Sequence, residues 1–379
     1  MKSGKNTLLI SGLIACLVGA LLTIGAIVWF FIINPRDDSI TIQPKNTPSP
    51  KITSGGENNQ NTPGPSFTAT PTPTVTPASD PVVTFTPAPT STPTPTPGVS
   101  PIAEAGMYNS SGELIMSWDE LLNQDFYRVE DGVLKNGENI PETLEKIVLQ
   151  NTVKALDDRV FMGCSRLETI IIPSTVTSIG AYAFYDCTKL LEIDIPDSVN
   201  HIGEKAFCNC YDLNKVKLSE NITFLENELF FGCSNLTEII LPNSLTSIGN
   251  NVFSLSGIKS VVIPDSVREL GYCIFQQCYS LTDITLPNGM TSIGNAMFLM
   301  CTGLKTIRIP DGVTEICNEM FWACTNLESL YIPKSITRVD DDAFSGCTSL
   351  KELRVSSDSK VAIEAIKSAG LGNLIVYTD

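Results

Sequence analysis

The sequence predicts a solenoid of about nine to ten stacked units of 23 residues with short strands, preceded by one N-terminal transmembrane helix and a disordered linker. Three observations predict it. A Phe recurs at a near-constant interval of 23 residues from Phe161 to Phe344. An apolar run of 26 residues without a charge, Leu8 to Ile33, lies near the N-terminus. Between these two features, residues 34–99 hold 15 of the 24 prolines. The expected division is an anchor at 1–33, a stalk at 34–99, an N-terminal cap at 100–143, repeats at 144–355 and a C-terminal cap at 356–379.

The apolar run exceeds the roughly 20 residues that a bilayer span needs. Lys2 and Lys5 precede it, and Arg36, Asp37 and Asp38 follow it. This bias favours an inside N-terminus and an extracellular C-terminal domain, hence a single-pass protein of the cell membrane. Trp29, Phe30 and Phe31 stand where an interfacial aromatic belt lies. A cleaved signal peptide would have a shorter apolar core and a small-residue cleavage site. Leu13-Ile14-Ala15-Cys16 resembles a bacterial lipobox, which would place a lipid on Cys16. The run continues for 17 residues past Cys16, however, and a lipid anchor does not need them.

The stalk is dominated by Thr-Pro alternation, as in Thr92-Pro93-Thr94-Pro95-Thr96-Pro97. Apolar residues are too sparse there to bury a core, and Pro removes backbone donors. Such chains favour extended polyproline II, so the segment reads as a semi-rigid spacer with many Thr open to O-glycosylation.

In the N-terminal cap, Ser117-Trp118-Asp119-Glu120 reads as a capping box opening a short helix through about Asn123. Trp118, Leu121 and Leu122 would face the first coil. Glu130 to Val133 reads as a turn into the first strands.

In the repeats, the Phe column is Phe161, Phe184, Phe207, Phe230, Phe253, Phe275, Phe298, Phe321 and Phe344; one step is 22 instead of 23. A fixed period in this range means a stacked array. Leu167, Leu190, Leu213, Leu236, Ile258, Leu281, Leu304, Leu327 and Leu350 open the units. Pairs such as Ile170/Ile172, Ile193/Ile195 and Ile307/Ile309 alternate, so both members should point inward from one strand. Pro173 and its equivalents end that strand, with Ser219 as the exception. Asp197, Asn243, Asp265, Asn288 and Asp311 suit the turn that follows. Gly180, Gly203, Gly249, Gly271 and Gly294 are expected to supply backbone freedom at the next corner. Glu226 replaces Gly in this column, and Ser256 replaces Cys before the 22-residue step; both places should kink locally.

Twelve Cys are present, eight of them three residues after a column Phe: Cys164, Cys187, Cys210, Cys233, Cys278, Cys301, Cys324 and Cys347. Neighbouring coils should splay here beyond the roughly 7 Å limit for a disulfide, leaving a ladder of small buried thiols. Cys208 and Cys210 have no His nearby in sequence to complete a metal site. Cys273 and Cys317 fall outside the ladder and should be the accessible thiols. At the far end, Val361 to Ala369 reads as a helix stopped by Gly370, and Leu374 to Tyr377 as a final strand.

The columns together spell L-x-x-I-x-I-P-x-x-V-x-x-I-G-x-x-A-F-x-x-C, best seen in Thr169 to Cys187 and Glu192 to Cys210. This pattern resembles the BspA-type leucine-rich repeat over roughly 144–355. The resemblance implies a microbial surface protein that binds or adheres rather than catalyses.

The formal net charge is -16, and the residues from 100 onward carry about -17 of it. An acidic surface repels phosphate backbones, so no nucleic-acid partner is expected. The single His, His201, should be exposed, which excludes His-based triads and His-rich metal sites. Neither a Gly-rich phosphate loop nor a spaced carboxylate pair stands out, so no catalytic residue, metal or cofactor is expected. The outward strand column reads Val148, Ile171, Asp194, Lys217, Ile240, Val262, Thr285, Arg308, Tyr331 and Arg354. Arg308, Tyr331 and Arg354 form its candidate ligand patch, because Arg and Tyr dominate binding hot spots. The alternative is plain cross-strand packing, with Tyr331 sandwiched between guanidinium groups. The expected function is a membrane-anchored extracellular binding or adhesion module for a protein or glycan ligand. Structural or scaffold service in the cell envelope, or cell-wall binding, are the rival readings.

Overall fold

The computed structural model describes residues 104–124, 126–136 and 143–379. The expected membrane helix, Cys16 and the Pro-rich stalk lie outside the described residues. Among those described, no helix is long and apolar enough to cross a membrane.

The chain winds as a β-solenoid of about ten turns of 23 residues. Each coil has three sides. The first carries three-residue strands such as Lys146–Val148, Thr169–Ile171, Glu192–Asp194 and Lys215–Lys217. The second carries two-residue strands such as Ala155–Leu156, Ser178–Ile179 and His201–Ile202. The third is a run of turns holding Phe and Cys. Pairing between repeat strands is parallel and one period apart: Lys215 stands beside Glu192, His201 beside Ser178, Tyr331 beside Arg308.

Ile193 and Ile195 are both buried, as alternation requires, but the strand Glu192–Asp194 ends one residue before Ile195. The following Pro begins a turn instead of terminating the ladder directly. Val199 N–H donates to the Pro196 carbonyl at 2.9 Å, and Val176 to Pro173 at 3.0 Å. Asp197 and Asp265 reach beyond their own turns. Each carboxylate accepts the backbone N–H of the next coil, from Glu220 at 3.1 Å and Asn288 at 3.0 Å.

One expectation about the corners needs correcting. The Gly column is not in the left-handed region. A Cβ on Gly203 would stand 2.4 Å from the Ala181 nitrogen, and one on Gly294 would stand 2.0 Å from the Gly271 oxygen. Room, not backbone freedom, demands Gly there. The left-handed residues instead flank the Phe. Arg159, Tyr182, Lys205, Glu228 and Asn251 precede it by two, and Asp186, Asn209, Leu255 and Gln277 follow it by two, each with φ between 52° and 60°. This geometry aims the backbone at the next coil: Phe161 N–H donates to the Ala183 carbonyl at 2.8 Å and Arg159 N–H to Ala181 at 2.9 Å.

The Phe rings form one column through the core. Successive centroids lie 5.2–6.0 Å apart from Phe161 to Phe344, with ring planes within 13° of parallel. These separations are in the favourable range for aromatic pairs. Tyr127 of the N-terminal cap extends the column, 5.3 Å from Phe161 and fully buried.

At the 22-residue step the first sheet is interrupted. Only an isolated bridge between Glu238 and Ser260 joins the coils there, whereas the second side pairs through, Phe224 to Ser247 to Glu269.

Both caps match their sequence signals. Helix Trp118–Asn123 has Ser117 as N-cap and a complete capping box with Glu120. It buries Trp118 and Leu121, while Leu122 is half-buried. Strands Tyr127–Glu130 and Val133–Asn136 form a hairpin through Asp131 and Gly132, both at positive φ, as a tight two-residue hairpin turn requires. Helix Lys360–Ser368 ends before Gly370, at φ 75°, and strand Ile375–Tyr377 pairs in parallel with Glu352–Val355.

Candidate binding face

The outward column of the three-residue strands is largely exposed, as its alternation predicts. Asp194, Lys217, Ile240, Val262, Thr285, Arg308 and Arg354 are exposed, and Tyr331 is half-buried. Val148 is the exception, at 8% exposure. The cap strand Gly106–Tyr108 lies antiparallel against Lys146–Val148, with Leu114–Ser117 outside it at the sheet edge. No repeat signal announces these two strands.

The structure brings Arg308, Tyr331 and Arg354 into one register row. The contact is asymmetric. The Arg308 guanidinium lies 3.9 Å from the Tyr331 ring centroid and also touches the Asp311 carboxylate at 3.3 Å. Arg354 instead donates from Nε and a terminal nitrogen to one Glu352 oxygen, at 2.9 and 2.8 Å. Its own strand neighbour therefore holds it, and Tyr331 is not sandwiched. Toward the N-terminal end of the same column, Ile240 is 85% exposed and Val262 64%. These two aliphatic side chains stand one period apart, and Thr285 and a break in strand pairing before Thr306–Arg308 separate them from the arginine–tyrosine row. Beyond them Lys217 pairs with Asp194 at 2.9 Å.

The thiols are free at every described Cys. Coil splaying is not the reason, because backbone hydrogen bonds hold adjacent coils together on that side. Every ladder thiol after Cys164 is instead committed to the Phe carbonyl of the coil before it: Cys187 Sγ donates to Phe161 at 3.1 Å, Cys278 to Phe253 at 3.0 Å and Cys324 to Phe298 at 3.0 Å. Ser256 breaks the pattern and meets the Cys278 thiol at 3.4 Å. Burial pushes Cys278 up to about 12 and Cys208 up to about 12. Cys273 and Cys317 are half-buried, as their position outside the ladder predicted, and so is Cys347.

Among the described residues no group of three or more His, Cys, Asp or Glu could hold a metal ion. His201 is exposed at the mouth of a cleft of about 440 Å³ that it shares with Glu204 and Glu226. Burial is the main cause that raises the Glu226 carboxyl above its usual range, with Glu204 adding to it and His201 opposing. A larger cleft of about 810 Å³ holds Glu315, Arg338, Asp340, Asp341 and Asp342, one cation among four carboxylates, Arg338 contacting Glu315 at 3.2 Å and Asp340 at 2.6 Å.

The profile described as BspA type leucine rich repeat region (6 copies) matches residues 139–257 and 246–368. Among solved structures, the chain is similar to a leucine rich cell surface protein from Faecalibacterium prausnitzii, with 23% identity over 62% of this chain and 88% of that one, at a TM-score of 0.32. A leucine-rich repeat protein from Bacteroides ovatus shares 25% identity over 63% of this chain and 85% of that one, at 0.28. The leucine rich repeat protein of T. pallidum shares 24% over 67% and 96%, at 0.33. No curated protein matches the chain.

Proposed function

The chain belongs to the BspA-type leucine-rich repeat family, and on that premise we propose that it is a membrane-anchored extracellular module that binds a protein ligand through its strand face, without catalysis. The observation that carries this reading is the register row Arg308, Tyr331 and Arg354, with the exposed Val262 and Ile240 two and three coils away in the same outward column. Interfaces are anchored by Tyr and Arg set in an apolar surround, and contiguous exposed aliphatics mark docking surfaces. In the free chain Arg308 and Arg354 are held by Asp311 and Glu352; such exposed pairs contribute little, so a partner's carboxylates can exchange for them while its apolar residues meet the aliphatics about two coil spacings away, ~10 Å. Anchoring and outside placement rest on the Leu8 to Ile33 run with its basic N-terminal flank.

The test is binding of the full chain to a panel of purified extracellular proteins of graded isoelectric point. The expected result is saturable binding to acidic members that weakens with salt and drops at least tenfold in Tyr331→Ala. Unchanged affinity of that variant for every bound protein overturns the strand-face reading. Protease treatment of intact cells should release the repeat domain, and protection until lysis would overturn the extracellular placement.

A further inference from the structure

The turn side of the coils, not the strand face, carries most of the exposed aromatic rings: Tyr211, Tyr272, Tyr279 and Trp322 are 45%, 52%, 49% and 37% exposed. In the first coils Tyr211, whose backbone N–H donates to the Asn209 carbonyl at 2.9 Å, follows the half-buried Tyr182 and Tyr185 of the coil before it. Tyr182 and Tyr185 lie 5.6 Å apart at 49°. Arg159 and Lys205, from the coils before and after, lie over Tyr182 at 5.1 and 5.5 Å. Tyr182 is thereby braced by cations, which leaves Tyr185 and Tyr211 as the rings that a ligand can use. Between them sits Asp186, whose carboxylate accepts the Asn209 side-chain amide at 2.9 Å. Burial first, then the Asp186 charge, raises the hydroxyls of both Tyr185 and Tyr211, so they remain protonated donors.

The surrounding charges are closed on one another. Lys205 meets Glu228 at 3.3 Å and Lys189 meets Asp212 at 2.7 Å. The patch therefore offers aromatic faces and planar polar groups, with the Asp186 carboxylate held by an amide and not by a cation. A pyranose ring is the complement of such a surface. Its C–H face meets the negative face of an aromatic ring, and its vicinal hydroxyls pair with carboxylate and amide groups. An anionic polymer gains no counter-charge here and meets an acidic domain.

We propose that Tyr185, Tyr211 and the Asp186–Asn209 pair form a second binding site, for a neutral polysaccharide. The left-handed backbone at Asp186 and Asn209, φ 57° and 60°, holds that pair beside the rings. The site is independent of the strand face and does not need Tyr331.

The experiment is co-sedimentation of the full chain with cellulose and chitin particles, and gel retardation in glycogen. The wild type should be retained by at least one of the three. Tyr211→Ala should weaken retention at least tenfold, Tyr211→Phe should stay within about threefold, and Tyr331→Ala should not change it. Nitration of Tyr185 and Tyr211 in the unmodified chain gives a second measurement that needs no variant to fold; bound polysaccharide should slow it severalfold. The idea is overturned if none of the three polymers retains the wild type, if Tyr211→Ala binds as tightly, or if the polymer leaves nitration unchanged.

Discussion

The Arg308 guanidinium rests 3.9 Å from the centre of the Tyr331 ring, whereas Arg354, equally adjacent to Tyr331 in register, is held by Glu352. Both guanidinium groups meet a carboxylate, Asp311 and Glu352, and the ring contact of Arg308 is what distinguishes them.

That asymmetry has a measurable form. A double-mutant cycle of Arg308→Ala and Tyr331→Leu should show a coupling of about 0.5–1 kcal/mol in urea unfolding, the range for exposed cation–π pairs. The cycle of Arg354→Ala with Tyr331→Leu should show a markedly smaller one. Equal couplings would mean that both guanidinium groups engage the ring in solution.

The Phe column should dominate stability. Phe207 is fully buried, with parallel rings on both sides at 5.2 and 5.6 Å. Phe207→Ala should cost about 3–5 kcal/mol in equilibrium unfolding. Phe344 is 7% exposed, and its stacking contact is with Phe321. Its alanine variant should cost clearly less, and an equal loss would contradict the stacked-column account.

The glycines of the second corner should resist the smallest substitution. Gly203→Ala drives a methyl against the Ala181 backbone. It should destabilise by about 1–3 kcal/mol, as overpacking does. Gly112, whose added Cβ would meet nothing within 4 Å but whose φ is 83°, separates the two causes. Its alanine variant carries backbone strain alone, and the two melting curves compared show whether crowding or φ is decisive.

The thiols should report burial in two ways. A thiol reagent should label Cys273 and Cys317 first, and Cys187, Cys210 and Cys301 only after unfolding; early labelling of the last three would contradict their full burial. Raised thiol pKa values also set a pH dependence. Above the reference value of 9.0 the unfolded chain loses thiol protons that the folded chain keeps, Cys278 up to about 12. The unfolded state then binds fewer protons, so stability is intact below pH 9 and falls as pH rises from 9 toward 12. Urea midpoints across that window should decline, and the decline should be shallower in Cys278→Ala.

Much of the fold was legible because a repeat repeats its own evidence. Ser117 and Glu120 announced the first helix by chemistry local to four residues, and Gly370 announced the end of the last one. The left-handed positions beside Phe were hidden, since Gly163, Gly232 and Gly346 mark only three of them while Arg159, Tyr182, Lys205, Asp186 and Asn209 fill others. Coil-to-coil hydrogen bonds stabilise those conformations, and such bonds leave no residue preference to read. Val148, buried against expectation, adjoins a cap strand that lies outside the repeat and so outside its pattern.

By itself the sequence determined the 23-residue period, the inward columns and both caps, because burial and helix capping act on residue type at fixed spacing. It also named Arg308, Tyr331 and Arg354 as neighbours, because one period of sequence becomes one step across a parallel sheet. Only the tertiary structure decided which partner each long side chain takes: Arg308 a ring as well as Asp311, Arg354 the Glu352 carboxylate, and every ladder thiol after Cys164 the Phe carbonyl of the coil before it. It alone gathered Tyr182, Tyr185 and Tyr211 onto the turn side. Those choices follow from competing contacts a few ångströms apart in adjacent coils, where distance and angle decide and spacing along the chain carries no information.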